Sequence, residues 1–140
     1  MRLVADTNVV ISALLWGGLP KTVFALRETI NIEFYTSRVL LDELADVLSR
    51  KRLAKMISAI DASPASLLRY YQGFARVVQP RSVPRVVRDP DDDHVIAAAI
   101  TANADMIVSG DKDLHALGRE YRGTVISTPA QAVRMLSNRR

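Results

Sequence analysis

The chain has 140 residues, 49% of them hydrophobic and 24% charged, with no cysteine and a formal charge of +4. That length fits one domain with a buried core, over residues 1–140, and the composition excludes a disordered chain. Lack of cysteine excludes a disulfide framework, a thiol nucleophile and a thiolate zinc site, and it suits a reducing cytoplasm.

The first apolar segment, Arg2 to Ala5, is short, ends at Asp6 and reads as a buried strand. Asn8 to Trp16 is apolar on nearly all sides and predicts a buried helix, broken by Gly17-Gly18-Leu19-Pro20. Val9 to Pro20 is the longest charge-free apolar run and falls short of the ~20 residues that a membrane span needs. No basic segment leading into an apolar stretch opens the chain, so no signal peptide is expected. Lys21 to Thr29 predicts a helix with one wet face, and Ile32 to Tyr35 a second strand. From Ser37 the positions Leu40, Leu41, Leu44, Val47 and Leu48 follow helical spacing. Arg50 to Lys55 either continues that helix or turns out of it.

Ser63-Pro64 has the form of a cap followed by proline in the first helical turn, and predicts a helix to about Phe74. Ala75 to Val78 reads as a short strand and Gln79 to Pro90, rich in proline and arginine, as a loop. Asp92 to Asn103 predicts a helix, Met106 to Ser109 a strand, Lys112 to Leu117 a helix and Thr124 to Ser127 a strand. Thr128-Pro129 repeats the cap-and-proline pattern before a helix to about Leu136, and Asn138 to Arg140 is expected to fray. Strands alternating with helices predict an α/β fold: a three-layer α/β/α sandwich around a mainly parallel central sheet.

Charge is segregated along the chain. Arg50 to Arg88 holds nine basic residues and one acid, Asp61, a net of +8, against −4 for the remainder. A basic stretch of this kind suits a polyanion. Arg50, Lys51, Arg52 and Lys55 are its densest part and the candidate contacts to a phosphate backbone. Tyr70 and Tyr71 lie within the same stretch, as base-stacking candidates or core residues.

The acids gather where a parallel sheet places ligands, beyond the carboxyl ends of its strands. Asp6 follows the first strand, and Asp111 and Asp113 follow Met106–Ser109. Asp91, Asp92 and Asp93 open the helix before that strand, and Glu43 sits at the rim of a buried stripe. Singly, such acids cap helices or make turns. Converging, they repel one another, and a hard divalent cation with oxygen ligands resolves the cost. His94 and His115 have no nucleophile motif beside them, and there is no G-x-S-x-G and no phosphate-binding glycine loop. Asn8 stands where a D-x-D phosphoacceptor needs its second aspartate.

Four motifs in this order resemble a PIN domain: Asp6-Thr7-Asn8-Val9; Glu43 in Leu-Leu-Asp-Glu-Leu; Asp89-Pro90-Asp91-Asp92-Asp93 before Val95-Ile96-Ala97-Ala98-Ala99; and Val108-Ser109-Gly110-Asp111-Lys112-Asp113-Leu114. The resemblance covers essentially the whole chain and is to the bacterial toxins of toxin–antitoxin systems, relatives of VapC-type ribonucleases. It implies a cytoplasmic Mg²⁺- or Mn²⁺-dependent endoribonuclease. The implied catalytic acids are Asp6, Glu43, Asp93 and Asp111, with Asp6, Asp93 and Asp111 as metal ligands. Asp91 and Asp92 stand beside Asp93 as alternatives, and Asp113 beside Asp111. Thr7, Asn8, Ser109 and Asp113 would support and orient these acids. Expected products carry a 5′-phosphate and a 3′-hydroxyl. The resemblance further implies an RNA substrate, an antitoxin protein, a homodimer and no membrane. Trp16 and Leu19 are candidates for a protein interface or for the core.

Overall fold

A computed structural model describes residues 1–138. Of the fraying expected at Asn138 to Arg140, the last two residues lie outside the described part. The elements run β1 (Arg2–Ala5), α1 (Thr7–Leu15), α2 (Gly18–Ala25), a 3₁₀ turn (Leu26–Glu28), β2 (Glu33–Ser37), α3 (Arg38–Leu48), α4 (Lys51–Ala59), α5 (Pro64–Gln72), β3 (Ala75–Val78), α6 (Pro90–Ala102), β4 (Met106–Val108), α7 (Lys112–His115), β5 (Glu120–Tyr121), β6 (Thr124–Ser127) and α8 (Pro129–Ser137).

The six strands form one sheet in the order β3-β2-β1-β4-β6-β5. All neighbours pair in parallel except β5, which pairs antiparallel to β6. Alternation along each strand divides the core in two, because successive side chains leave opposite faces. Leu3, Ala5, Phe34, Met106 and Val108 join the cluster under α1, α2, α3, α5 and α8. Val4, Tyr35 and Ile107 join Val95, Ile96, Ala98 and Ala99 of α6 and Leu114 of α7 on the other face. The predicted three-layer α/β/α architecture is therefore present. In the first layer Phe24 meets Phe34, Tyr71 and Phe74 with ring centroids 4.9, 5.8 and 5.3 Å away.

Local chemistry sets the element ends. Ser63 and Thr128 each accept the backbone N–H three residues on, and Ser66 and Gln131 return the bond, so both predicted starts are capping boxes. The predicted helix start at Lys21 lies at Gly18 instead, since Gly17 and Gly18 take positive φ (81° and 66°) and turn the chain without a break. The chain turns out of α3 at Ser49-Arg50: Arg50 is extended (φ −69°, ψ 140°) and begins α4. β5 has no counterpart in the predicted elements; it is two residues long and joins β6 through Arg122 and Gly123, both at positive φ. Among the described residues, no single helix is long and apolar enough to cross a membrane. Trp16 and Leu19, candidates for interface or core, are 55% and 46% exposed. Tyr71 is buried in the aromatic cluster, whereas Tyr70 is exposed.

Candidate active site

Strand order places β2 and β3 on one side of β1, and β4 and β6 on the other. The chain's connections therefore diverge between β1 and β4, and a crevice opens there at the carboxyl ends. Asp6 leaves β1 at this point and Ser109 leaves β4. The Asp6 main-chain N–H donates to Val108 O at 3.1 Å, continuing the ladder to the crevice floor.

Asp6 is the buried centre of the site. Its Oδ1 accepts the Val9 N–H at 2.8 Å, capping α1, and its Oδ2 accepts the Ser109 hydroxyl. Ser109 Oγ in turn accepts the Asp111 N–H at 2.9 Å, so one hydroxyl fixes acids from two strand ends. Burial raises the Asp6 carboxyl above its ordinary value, and the bonds from Ser109 and Val9 partly offset this. His115, which follows in α7, places Nε2 2.7 Å from Ser109 O, and its charge favours ionised Asp6. No sequence motif marks His115, because it reaches the site by the fold of a one-turn helix.

Around Asp6 lies a cleft of about 200 Å³, lined by Thr7, Asn8, Glu43, Val47, Arg50, Asp89, Asp91, Asp92, Val95 and Asp111. Glu43 reaches it from α3, whose buried stripe of Leu40, Leu41, Leu44, Val47 and Leu48 puts residue 43 on the rim, as the spacing predicted. Its carboxyl is raised by burial and by Asp91, with the Thr7 hydroxyl acting against them. Asp111 caps α7 by accepting the Asp113 N–H at 2.8 Å, and Asp89 caps α6 by accepting the Asp91 N–H at 3.0 Å.

Asp93, expected among the ligands, is not brought to this cleft. Its Oδ1 accepts the N–H groups of Val86 and Val87 at 3.0 and 2.9 Å, on the other flank of α6. The neighbouring residue Asp92 lines the cleft instead, since consecutive helical residues point ~100° apart. Asp89 was also not among the expected site residues. As a helix cap before proline it carries the pattern of an ordinary turn.

One carboxylate oxygen from each of Asp89, Asp92, Asp111 and Asp113 lies within 4.8 Å of the others. Burial first, then Asp111, Asp89 and Asp6, push Asp92 from an ordinary 3.8 up to about 8. Its Oδ2 is buried without a hydrogen-bond partner. An unpartnered oxygen amid mutually repelling carboxylates suits a hard divalent cation, and the all-oxygen donor set is the kind Mg²⁺ and Mn²⁺ prefer. The residues present therefore fit such an ion.

Arg50 is the cation lining the cleft, beside Asp46 at 3.5 Å. Lys51, Arg52 and Lys55 continue from it along the exposed side of α4. Among the described residues, no carboxylate lies within 4.0 Å of these three side chains.

No curated protein matches the chain. Among solved structures it is similar to the crystal structure of VapBC2 from Rickettsia felis bound to a DNA fragment from their promoter. The TM-score is 0.63 at 14% identity, over 91% of this chain and 98% of that chain. In sequence, residues 2–113 match the PIN domain family. That stretch holds β1 with Asp6, α3 with Glu43, α6 with Asp92 and the turn after β4 with Asp111, and the chain belongs to the PIN domain family.

Proposed function

We propose that the protein is a divalent-metal-dependent endoribonuclease acting in the cytoplasm as the toxin of a type II toxin–antitoxin pair, its 140 residues forming one nuclease domain. The observation that carries the reading is the convergence of Asp6, Glu43, Asp89, Asp92 and Asp111 on one cleft, with a buried Asp92 oxygen left unpartnered. Asp89, Asp92, Asp111 and Asp113 would hold Mg²⁺ or Mn²⁺. When bound, such an ion supplies a water of lowered pKa and charge stabilisation at the scissile phosphate.

The chain's own groups do the rest. Asp6, clamped by the Val9 amide and the Ser109 hydroxyl, keeps its carboxyl group in place on the crevice floor. Glu43 has a raised pKa and stands at the cleft rim, which suits it to take a proton from the attacking water and return it. Arg50 offers a guanidinium to a phosphate entering the cleft, and Lys51, Arg52 and Lys55 extend the attraction along the strand. Attack of water on phosphorus with breakage of the P–O3′ bond, the 3′ oxygen leaving and taking up a proton, would give a 5′-phosphate and a 3′-hydroxyl without use of the ribose 2′-hydroxyl, so preference for RNA rests on binding contacts. Similarity to the VapBC2 structure supports an antitoxin partner, for which exposed Trp16 and Leu19 offer apolar surface, and family resemblance supports a homodimer.

Incubation with RNA and with DNA, each with Mg²⁺, Mn²⁺ or EDTA, tests the reading against an Asp6→Asn control. Metal-dependent RNA cleavage absent from the control is expected; undiminished cleavage by Asp6→Asn contradicts it.

A further inference from the structure

Asp93 has no place in the cleft, yet it is 4% exposed and one of its oxygens accepts two main-chain N–H groups. Burying a carboxylate is costly unless such bonds compensate it. The partners belong to the segment between β3 and α6, residues 79–89, which has neither helix nor strand. That segment ends at Asp89. Of the four clustered acids, Asp92 is held within α6, and Asp111 and Asp113 by the first turn of α7. Asp89 arrives at the end of an eleven-residue irregular segment, whereas Asp111 follows β4 after only two residues, so repulsion from the other three can most easily displace Asp89. On its far side Asp89 is tied to α6, its carbonyl accepting the Asp92 N–H at 3.0 Å. On its near side, Val87 is two residues away and is tied to Asp93.

We infer that Asp93 is a positioning residue: by gripping the Val86 and Val87 amides it fixes the end of the 79–89 segment and so holds Asp89 among the metal-binding acids. The inference rests on the metal reading above and assigns Asp93 a role distinct from ligation. Asp92 and Asp93 divide the labour because they sit on different flanks of one helix turn, Asp92 on the acidic cleft and Asp93 on a hollow lined by Val83, Arg85 and Val87. A neutral amide oxygen can accept the same two bonds, so Asp93→Asn preserves the grip, whereas Asp93→Ala and Asp93→Ser abolish it.

The test combines Mn²⁺ titration with residue-resolved amide exchange on the full chain, comparing Asp93→Asn, Asp93→Ala, Asp93→Ser and Asp92→Asn. Asp93→Asn should bind Mn²⁺ within about threefold of wild type, while the alanine and serine variants weaken it by about 10–100-fold, the range for supporting groups around metal sites. The amides of residues 86 and 87 should stay protected in Asp93→Asn and exchange freely in the deletion variants. Loss of Mn²⁺ binding in Asp93→Asn as complete as in Asp92→Asn, with both amides still protected, would make Asp93 a ligand and overturn the inference. So would wild-type Mn²⁺ affinity in both deletion variants. A wild-type chain that binds no Mn²⁺ overturns the metal reading instead; amide exchange then still decides the grip, which fails if both amides stay protected in the deletion variants.

Discussion

At the scale of single residues, Asp92 concentrates the electrostatic cost of the site. Its folded pKa, about 8, lies far above the ordinary 3.8, so between those values the native chain holds a proton that the unfolded chain has released. Stability in the absence of metal therefore declines as pH rises from about 4 to about 8, because folding must take up a proton that becomes steadily scarcer. Thermal unfolding in EDTA across that range should show a falling Tm for wild type. Asp92→Asn, uncharged throughout, should flatten this dependence and melt higher than wild type at pH 8; an equal slope in both proteins would place the strain elsewhere. Ser109 illustrates what a sequence reveals about a single residue. Resemblance to the PIN family implies a supporting role for its hydroxyl, and in the fold it joins Asp6 to the Asp111 amide. Asp93 shows the opposite case. Three aspartates in a row gave no phase, because Val95 to Ala99 is apolar all round and α6 offers no wet stripe to orient the turn before it.

At the scale of elements, legibility follows amphipathicity. In α3 the stripe from Leu40 to Leu48 fixes which face is buried, and Glu43 falls on the rim where spacing put it. α1 was recognisable as buried from its composition alone, and its cap, Asp6, doubles as the site's central acid. The break at Ser49-Arg50 was left open because residues on both sides are good helix formers; the extended Arg50 backbone is a tertiary result that turns its side chain to the cleft. β5 was missed because two residues carry no periodicity. α3 also supports a quantitative expectation. Leu44, adjacent to Glu43 and 1% exposed, lies in the cluster beneath α1 and α5, so Leu44→Ala should cost about 2–5 kcal/mol. Urea unfolding measures this, and a cost under about 1 kcal/mol would mean that α3 is not the anchored support described here.

At the scale of the whole molecule, a net charge of +4 conceals two opposed fields. The acidic cleft repels a polyanion, while the stretch from Arg50 to Arg88 presents nine exposed basic side chains. Two of these are tied to carboxylates, Arg50 to Asp46 and Arg76 to Glu33, in the ion pairs among the described residues. Cations of this kind capture a nucleic acid backbone by releasing its counterions, so affinity falls with salt. Replacing Lys51 and Arg52 with alanine should weaken RNA binding and reduce the slope of log K against log salt by about 1.4 units, at ~0.7 per lost phosphate contact on a single strand. An unchanged slope would make α4 a solvated surface with no part in binding. The sheet order underlies both fields, since it is the divergence between β1 and β4 that brings acids from distant parts of the chain together.

Anomalous diffraction from crystals of the protein grown with Mn²⁺ shows whether these acids form a divalent cation site. The expected result is a Mn²⁺ peak bonded to carboxylate oxygens drawn from Asp89, Asp92, Asp111 and Asp113, with Asp93 still holding the Val86 and Val87 amides. A cleft without Mn²⁺ at saturating concentration, or an ion bound only by acids elsewhere on the surface, would contradict it.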